Sequence, residues 1–222
     1  MNNIKLIIFD LDGTLIDAYP AIISSFNYTM RKFGYPGQSP KIIRRAVGWG
    51  DANLLKPFVG ARDLKKALAV YRKHHGRSLV TLSRLMPRVN SALARFKSKG
   101  YKLAVASNRP TKFSLILLRH LKLKKHFDFV LCADRLKLGK PHPEILKRIM
   151  RRFSLRPKQT LYVGDMAIDA QAGRRAKVKT IIVSGGSSTR KEILKERPFR
   201  IIKRAADLGK CPIFLTAPKT GL

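Results

Sequence analysis

Residues 4–9 form an apolar, β-branched run that stops at the glycine-containing segment Asp10-Leu11-Asp12-Gly13-Thr14, the pattern of a buried parallel strand ending in a loop. Residues 102–106, 129–132, 160–163 and 180–183 have the same character. Between these runs apolar positions return at helical spacing, in residues 86–99 ahead of Gly100, in 111–121, and in 143–153, where apolar and basic faces alternate. Strands alternating with helices predict a doubly wound α/β sheet, whose ligands gather at the carboxyl ends of the strands.

Residues 15–85 interrupt this alternation and contain no convincing strand. Ile22, Phe26, Met30 and Phe33 make one helical stripe, and Leu64, Leu68 and Tyr71 another. Both read as helix cores. The expected organisation is an α/β core of residues 1–14 and 86–210, a helical cap inserted as residues 15–85, and a tail, 211–222. The tail opens with Cys211-Pro212-Ile213-Phe214-Leu215-Thr216, which reads as irregular.

Composition alters this picture in one respect. The apolar share of 45% is ordinary for a globular chain, but 47 Lys plus Arg against 13 Asp plus Glu give a formal net charge of +34. Such a chain binds nucleic acid and other polyanions non-specifically at low salt, and its self-repulsion favours a monomer. Paired basic residues, from Arg44-Arg45 through Lys124-Lys125 to Arg190-Lys191, span nearly the whole length. No single basic arm stands out, and aromatic residues do not interleave with the charges as a base-stacking platform requires. A solvated basic surface is the simpler reading. The run at residues 6–9 is too short for a secretory leader, and no segment reaches membrane-spanning length. Cys132 and Cys211 offer neither a disulfide framework nor a metal cluster. A soluble cytoplasmic protein is expected.

The acids are placed selectively. Asp10, Asp12, Asp17, Glu144, Asp165 and Asp169 fall in or beside four segments that end a predicted strand or open the loop after it. In the first segment, the glycine turn can bring Asp10 and Asp12 to one site, one to coordinate a hard cation and attack, the other to move protons. A surface turn is the bland alternative, made weaker by the apolar strand before it. Ser107-Asn108 supplies neutral donors for phosphoryl oxygens. In Gly139-Lys140-Pro141-His142-Pro143-Glu144, prolines fix the backbone around a lysine able to neutralise an aspartate and a phosphoryl group together; His142 reads as structural. In Gly164-Asp165-Met166-Ala167-Ile168-Asp169, Asp165 suits a metal ligand at a strand end, and Asp169 follows one helical turn later.

In this order the four segments resemble the motifs of the haloacid dehalogenase superfamily, in its phosphatase branch, over nearly the whole chain to about residue 208. The resemblance implies a Rossmann-like core, a helical cap after the first motif, and Mg²⁺. It implies Asp10 as the nucleophile that forms an aspartyl-phosphate. Asp12 becomes the acid and then the base, lending its carbonyl to the metal. Ser107 and Asn108 hold the phosphoryl group, Lys140 steadies the charges, Asp165 completes the metal ligands, and Asp169 ligates through water or anchors the set. The acid at Asp12 favours ester hydrolysis over carbon–halogen or carbon–phosphorus cleavage.

A cap of this type looks like that of phosphoglycolate phosphatases, so the implied substrate is a small anionic phosphomonoester. Pyrophosphatase and phosphoglucomutase relatives are alternatives, and so is a polyanion- or RNA-binding protein with vestigial catalysis. Mutase relatives carry an early cap His-Lys pair, and no histidine occurs between Leu15 and Lys73. His74-His75 reads as solvated. Trp49, in the turn Val47-Gly48-Trp49-Gly50-Asp51, is expected to shape the pocket or to pack inside the cap, and Arg109 to reach an anionic substrate group. Relatives usually have glycine where this chain has Lys177, a cost of about 1 kcal/mol if the backbone there is left-handed.

Overall fold

The computed structural model of the chain describes residues 4–215. In chain order, β1 (Leu6–Phe9) leads to a short strand β2 (Ile16–Asp17) and four helices, α1 (Tyr19–Lys32), α2 (Pro40–Ala46), α3 (Asp51–Leu55) and α4 (Leu64–Leu82). The chain returns through β3 (Arg84–Leu85), α5 (Val89–Ser98), β4 (Lys102–Ser107), α6 (Thr111–His120) and β5 (Phe129–Cys132). It then runs through α7 (Glu144–Arg152), β6 (Thr160–Gly164), α8 (Ala167–Arg175), β7 (Lys179–Val183), α9 (Arg190–Lys195), β8 (Arg200–Ile202) and α10 (Pro212–Leu215).

Six strands form one parallel sheet in the order β5-β4-β1-β6-β7-β8. The five expected strands are all in it. The sixth, β8, is an edge strand of three partly exposed residues, too short and too wet to stand out as an apolar run. Alternation along the strands divides the core. Ile7, Phe9, Leu103, Val105, Leu161 and Val163 face α5 and α6, and their cluster continues into Ile22, Phe26 and Met30 of α1. Leu6, Ile8, Ala104, Ala106 and Tyr162 face the other way, against Ile145, Leu146, Ile149 and Met150 of α7. Burial of each large aliphatic side chain contributes about 2 kcal/mol.

The direction of winding reverses beside β1. From β1 the chain moves outward to β4 and β5, then crosses to β6 on β1's other side. The carboxyl ends of β1, β4 and β6 therefore border the crevice where such sheets bind ligands. Those ends carry Asp10, Ser107 and Asp165.

The excursion is not free of strand. β2 and β3 pair antiparallel, Ile16 opposite Leu85 and Asp17 opposite Arg84, at the neck where the chain leaves and re-enters the core. Two residues are too few for alternation to register in a sequence. Of the two stripes, Ile22, Phe26, Met30 and Tyr71 are buried, while Phe33, Leu64 and Leu68 are half-buried.

Two local features bear on the expectations. Lys177 has φ 59°, and the N–H groups of Lys177 and Val178 donate to the carbonyls of Arg174 and Gly173 at 3.1 and 2.9 Å. That is a Schellman end to α8, whose left-handed residue favours glycine. The start of the expected irregular tail is ordered: Cys211 is buried, and the Phe214 ring lies 5.2 Å from Phe96 and 5.5 Å from Tyr101. The rest of that tail, from residue 216, lies outside the described residues. Among the described residues no helix is long and apolar enough to cross a membrane.

Candidate active site

Asp10 follows β1 directly, its N–H donating to the Val163 carbonyl of β6 at 2.9 Å, so the sheet itself sets its backbone. Its carboxylate accepts from the Lys140 ammonium at 2.9 Å. Lys140 also reaches Asp169 at 2.8 Å and the Tyr162 hydroxyl at 3.1 Å. Asp169 is fully engaged: Oδ1 takes Lys140 and the Tyr162 hydroxyl (2.6 Å), and Oδ2 takes the backbone N–H groups of Asp165 and Met166. It thereby caps the first turn of α8 as well as holding Lys140.

Asp165 is fully buried and accepts from the Thr14 hydroxyl at 3.2 Å and, more distantly, from the Tyr19 hydroxyl at 3.5 Å. The backbones of Gly13 and Gly186 press so close that a Cβ on either would collide with Asp165 Oδ2. One carboxylate oxygen from each of Asp10, Asp165 and Asp169 lies within 4.8 Å of the others. Burial pushes Asp10 up to about 7, with Asp169 and Asp12 adding to the shift and Lys140 opposing it. Burial, then Asp169 and Asp10, pushes Asp165 well above the carboxylate range. Burial disfavours the Lys140 cation, but Asp10 and Asp169 outweigh it and hold the ammonium above the ordinary lysine value. Three buried carboxylates thus face one ammonium. That surplus of hard, negative oxygen, with coordination sites left on Asp10 and Asp165, fits a hard divalent cation.

Asp12 lines the same cavity, of about 50 Å³, as Asp10, Ser107, Asn108, Arg109 and Lys140. Arg109 grips its Oδ2 through Nε (2.9 Å) and Nη2 (2.8 Å), while Oδ1 is buried without a partner among the described residues. The Ser107 hydroxyl accepts the Arg109 N–H at 3.2 Å. The side-chain amide of Asn108 ties β4 to two loops: it donates to the carbonyls of Gly48 (2.8 Å) and Lys140 (2.9 Å) and accepts the Lys140 N–H at 2.8 Å. Every side chain singled out for chemistry is thus gathered at one end of the sheet. His142 sits in the turn before α7, its Nδ1 accepting the Glu144 N–H at 3.3 Å.

Two expectations are corrected. His75 is not solvated. It is fully buried, stacked on Tyr71 and edge-on to Phe113, with Nε2 2.6 Å from Arg109 Nη1. Burial, then the Arg109 charge, lowers its pKa to about 2. Its spacing did carry a signal, since positions 64, 68, 71, 75 and 79 continue one helical stripe. Trp49 neither packs inside the helices nor lines the cavity over Asp10. It is half-exposed, in an outer cleft with Arg45, Ile168 and Glu192. Two further residues at the site carry no mark of a role in the sequence: Tyr162, hidden within an apolar strand, and Asp51, which lines the cavity and pairs with Arg72 at 3.2 Å.

Comparison with known proteins agrees with this geometry. The family model described as "Haloacid dehalogenase-like hydrolase" matches residues 7–183. The chain belongs to that family. A phosphoglycolate phosphatase of Aquifex aeolicus is 31% identical over 206 residues, covering 93% of this chain and 95% of the relative. One from Rhodobacter capsulatus is 35% identical over 186 residues, covering 81% and 84%. The crystal structure of a predicted phosphoglycolate phosphatase from Haemophilus somnus superposes with a TM-score of 0.89 at 30% identity, covering 95% of this chain and 98% of that one. Within its family the chain is therefore similar to the phosphatases.

Proposed function

We propose that this hydrolase is a Mg²⁺-dependent phosphatase that cleaves a small anionic phosphomonoester, phosphoglycolate-like, through an aspartyl-phosphate on Asp10. The observation that carries the reading is the Lys140–Asp10 pair at the end of the central strand, in one cavity with Asp12 and beside the buried carboxylate of Asp165. Asp10, Asp165 and the Asp12 carbonyl are the metal's proposed holders, with Asp169 behind them, and bound Mg²⁺ supplies neutralising charge to the phosphoryl oxygens.

Everything else falls to the chain's own residues. Lys140 orients Asp10 and favours its ionised form against the burial that disfavours it. The Asp10 oxygen bonds to phosphorus as the ester P–O bond breaks, and the leaving oxygen keeps the electron pair and takes a proton from Asp12. Asp12, now a carboxylate, draws the proton from the water that hydrolyses the aspartyl-phosphate. The Ser107 hydroxyl and the N–H groups of Arg109 not given to Asp12 or His75 are the proposed holders of the phosphoryl group, while the Asn108 amide, spent on Gly48 and Lys140, holds the loops around it. The helices of residues 15–85 close over it as a cap. A cavity of about 50 Å³ has room for a few waters, which suits a small leaving group. The cytoplasmic setting, and loose binding of polyanions to the basic surface, belong to the same proposal.

The test is hydrolysis of p-nitrophenyl phosphate with and without Mg²⁺. Metal-dependent turnover that disappears in Asp10→Asn is expected; equal turnover by Asp10→Asn and the wild type would falsify the assignment.

A further inference from the structure

The mechanism above leaves one buried group unused. His75 lies on α4, outside the four motif segments, yet its ring touches the guanidinium that grips Asp12. Arginine has N–H donors and no acceptor, so at 2.6 Å His75 Nε2 must accept from Arg109 Nη1. The proton of the neutral ring then sits on Nδ1, which is 3.2 Å from Ser25 Oγ. That hydroxyl in turn donates to the Ala21 carbonyl at 2.7 Å. One tautomer satisfies the whole chain, from α1 through α4 to the loop after β4. The ring cannot swing away, because Tyr71 stacks on it at 4.9 Å and Phe113 abuts its edge at 5.5 Å.

The far end of the chain is Asp12. Arg109 takes Oδ2 twice and leaves Oδ1 buried with no partner among the described residues. A buried carboxyl oxygen with no partner marks a place where a partner arrives during function. In the first chemical step that place belongs to the bond between Asp12 and the leaving oxygen.

We propose that His75 is a positioning residue for the general acid: through Arg109 it fixes the Asp12 carboxyl so that Oδ1 meets the leaving oxygen of the ester. The proposal rests on Asp12 acting as the acid. Arg109 holds the rotamer, His75 holds Arg109, and Ser25 sets the histidine tautomer. Because Ser25 and His75 stand on helices of the excursion, the acid is fully oriented only when those helices sit on the core.

The test exploits leaving-group chemistry. An alkyl phosphate needs its leaving oxygen protonated, whereas p-nitrophenolate departs without help. The quantity kcat/KM reports steps up to the first phosphoryl transfer, so it isolates the acid's role from later water attack. In His75→Phe, which keeps a ring in the stack, kcat/KM for glycerol phosphate should fall about tenfold further than that for p-nitrophenyl phosphate, part of what a general acid contributes. His75→Gln, whose amide oxygen can accept from Arg109, should recover much of that difference. Equal losses on both substrates in His75→Phe, or no recovery in His75→Gln, would overturn the proposal, since a purely structural ring lowers both alike.

A second readout needs no turnover. Long-range proton–nitrogen NMR of the resting protein, assigned by the signal missing from His75→Phe, should show an unprotonated Nε2 and a protonated Nδ1. A proton on Nε2 sinks the relay. A wild type inactive on both esters would instead overturn the phosphatase reading, while the nitrogen spectrum still decides the His75–Arg109 contact.

Discussion

The Asn108 side chain binds the Gly48 carbonyl at 2.8 Å and so fastens the loop between α2 and α3 to the end of β4. The same amide exchanges two hydrogen bonds with the Lys140 backbone. One side chain therefore couples the loop over the cavity to the backbone that carries the buried ammonium. Asn108→Ala removes all three bonds. Each net bond contributes about 1 kcal/mol, so we expect kcat/KM to drop by roughly tenfold to a hundredfold. Limited proteolysis should then cut residues 47–51 faster than in the wild type; unchanged cleavage and kinetics would contradict this coupling.

Lys140 is the cation that contacts the cluster of Asp10, Asp165 and Asp169. Lys140→Met leaves those carboxylates uncompensated, a loss of about 3–5 kcal/mol for a broken buried pair. Urea unfolding at pH 7 should show a deficit of that size, shrinking toward pH 5 as the carboxyls take up protons. A deficit independent of pH would point to packing instead.

The carboxylate cluster also sets a pH dependence for the metal-free protein. Asp10 keeps its proton up to about 7 in the folded chain but releases it near its ordinary 3.8 when unfolded. Between those values the folded state binds the extra proton, so this group's contribution makes stability fall as pH rises through that window, by a few kcal/mol at most. Mg²⁺ binds the ionised carboxylates, so its stabilising effect should grow over the same window. Thermal melts at pH 5 and pH 7.5, with and without Mg²⁺, measure both; a metal effect larger at pH 5 would contradict the assignment of these aspartates.

Gly186 is tested by its missing side chain. A Cβ there would collide with Asp165 Oδ2, so Gly186→Ala must displace that carboxylate. We expect Mg²⁺ affinity to weaken by about tenfold to a hundredfold, as when the support of a metal ligand is lost. Titration calorimetry on the folded variant reads this directly, and wild-type affinity would remove Asp165 from the metal site.

Lys177→Gly should do the reverse of harm. At φ 59° a lysine is strained where glycine is not, so the variant should gain about 1 kcal/mol in chemical denaturation with unchanged kinetics.

Much of this architecture was legible in the residue pattern because buried strands and glycine turns leave strong local marks. Asp10, Ser107, Lys140 and Asp165 each stand at the end of a strand or before a helix, and the parallel sheet brings such ends together. What escaped was decided by packing across the chain. His75 reads as a solvated residue on a basic helix until α4 is laid against Phe113 and Arg109. Tyr162 reads as one more apolar strand position until Lys140 and Asp169 arrive at its hydroxyl. Trp49, expected to shape the pocket or to pack inside the cap, lies outward because the glycines at 48 and 50, with φ 115° and 87°, turn its loop.

The strand order has a consequence for when this site comes into being. Both neighbours of β1, β4 and β6, lie beyond the entire helical excursion, so β1 has no partner until that excursion has been synthesised. Asp10 must wait, in a strand that cannot yet be paired, for Lys140 and Asp165 to emerge. A nascent chain that has not passed β6 holds its nucleophile without Asp165 and with one side of β1 unpaired, which makes slow, non-local docking of β1 the step a chaperone has most to guard.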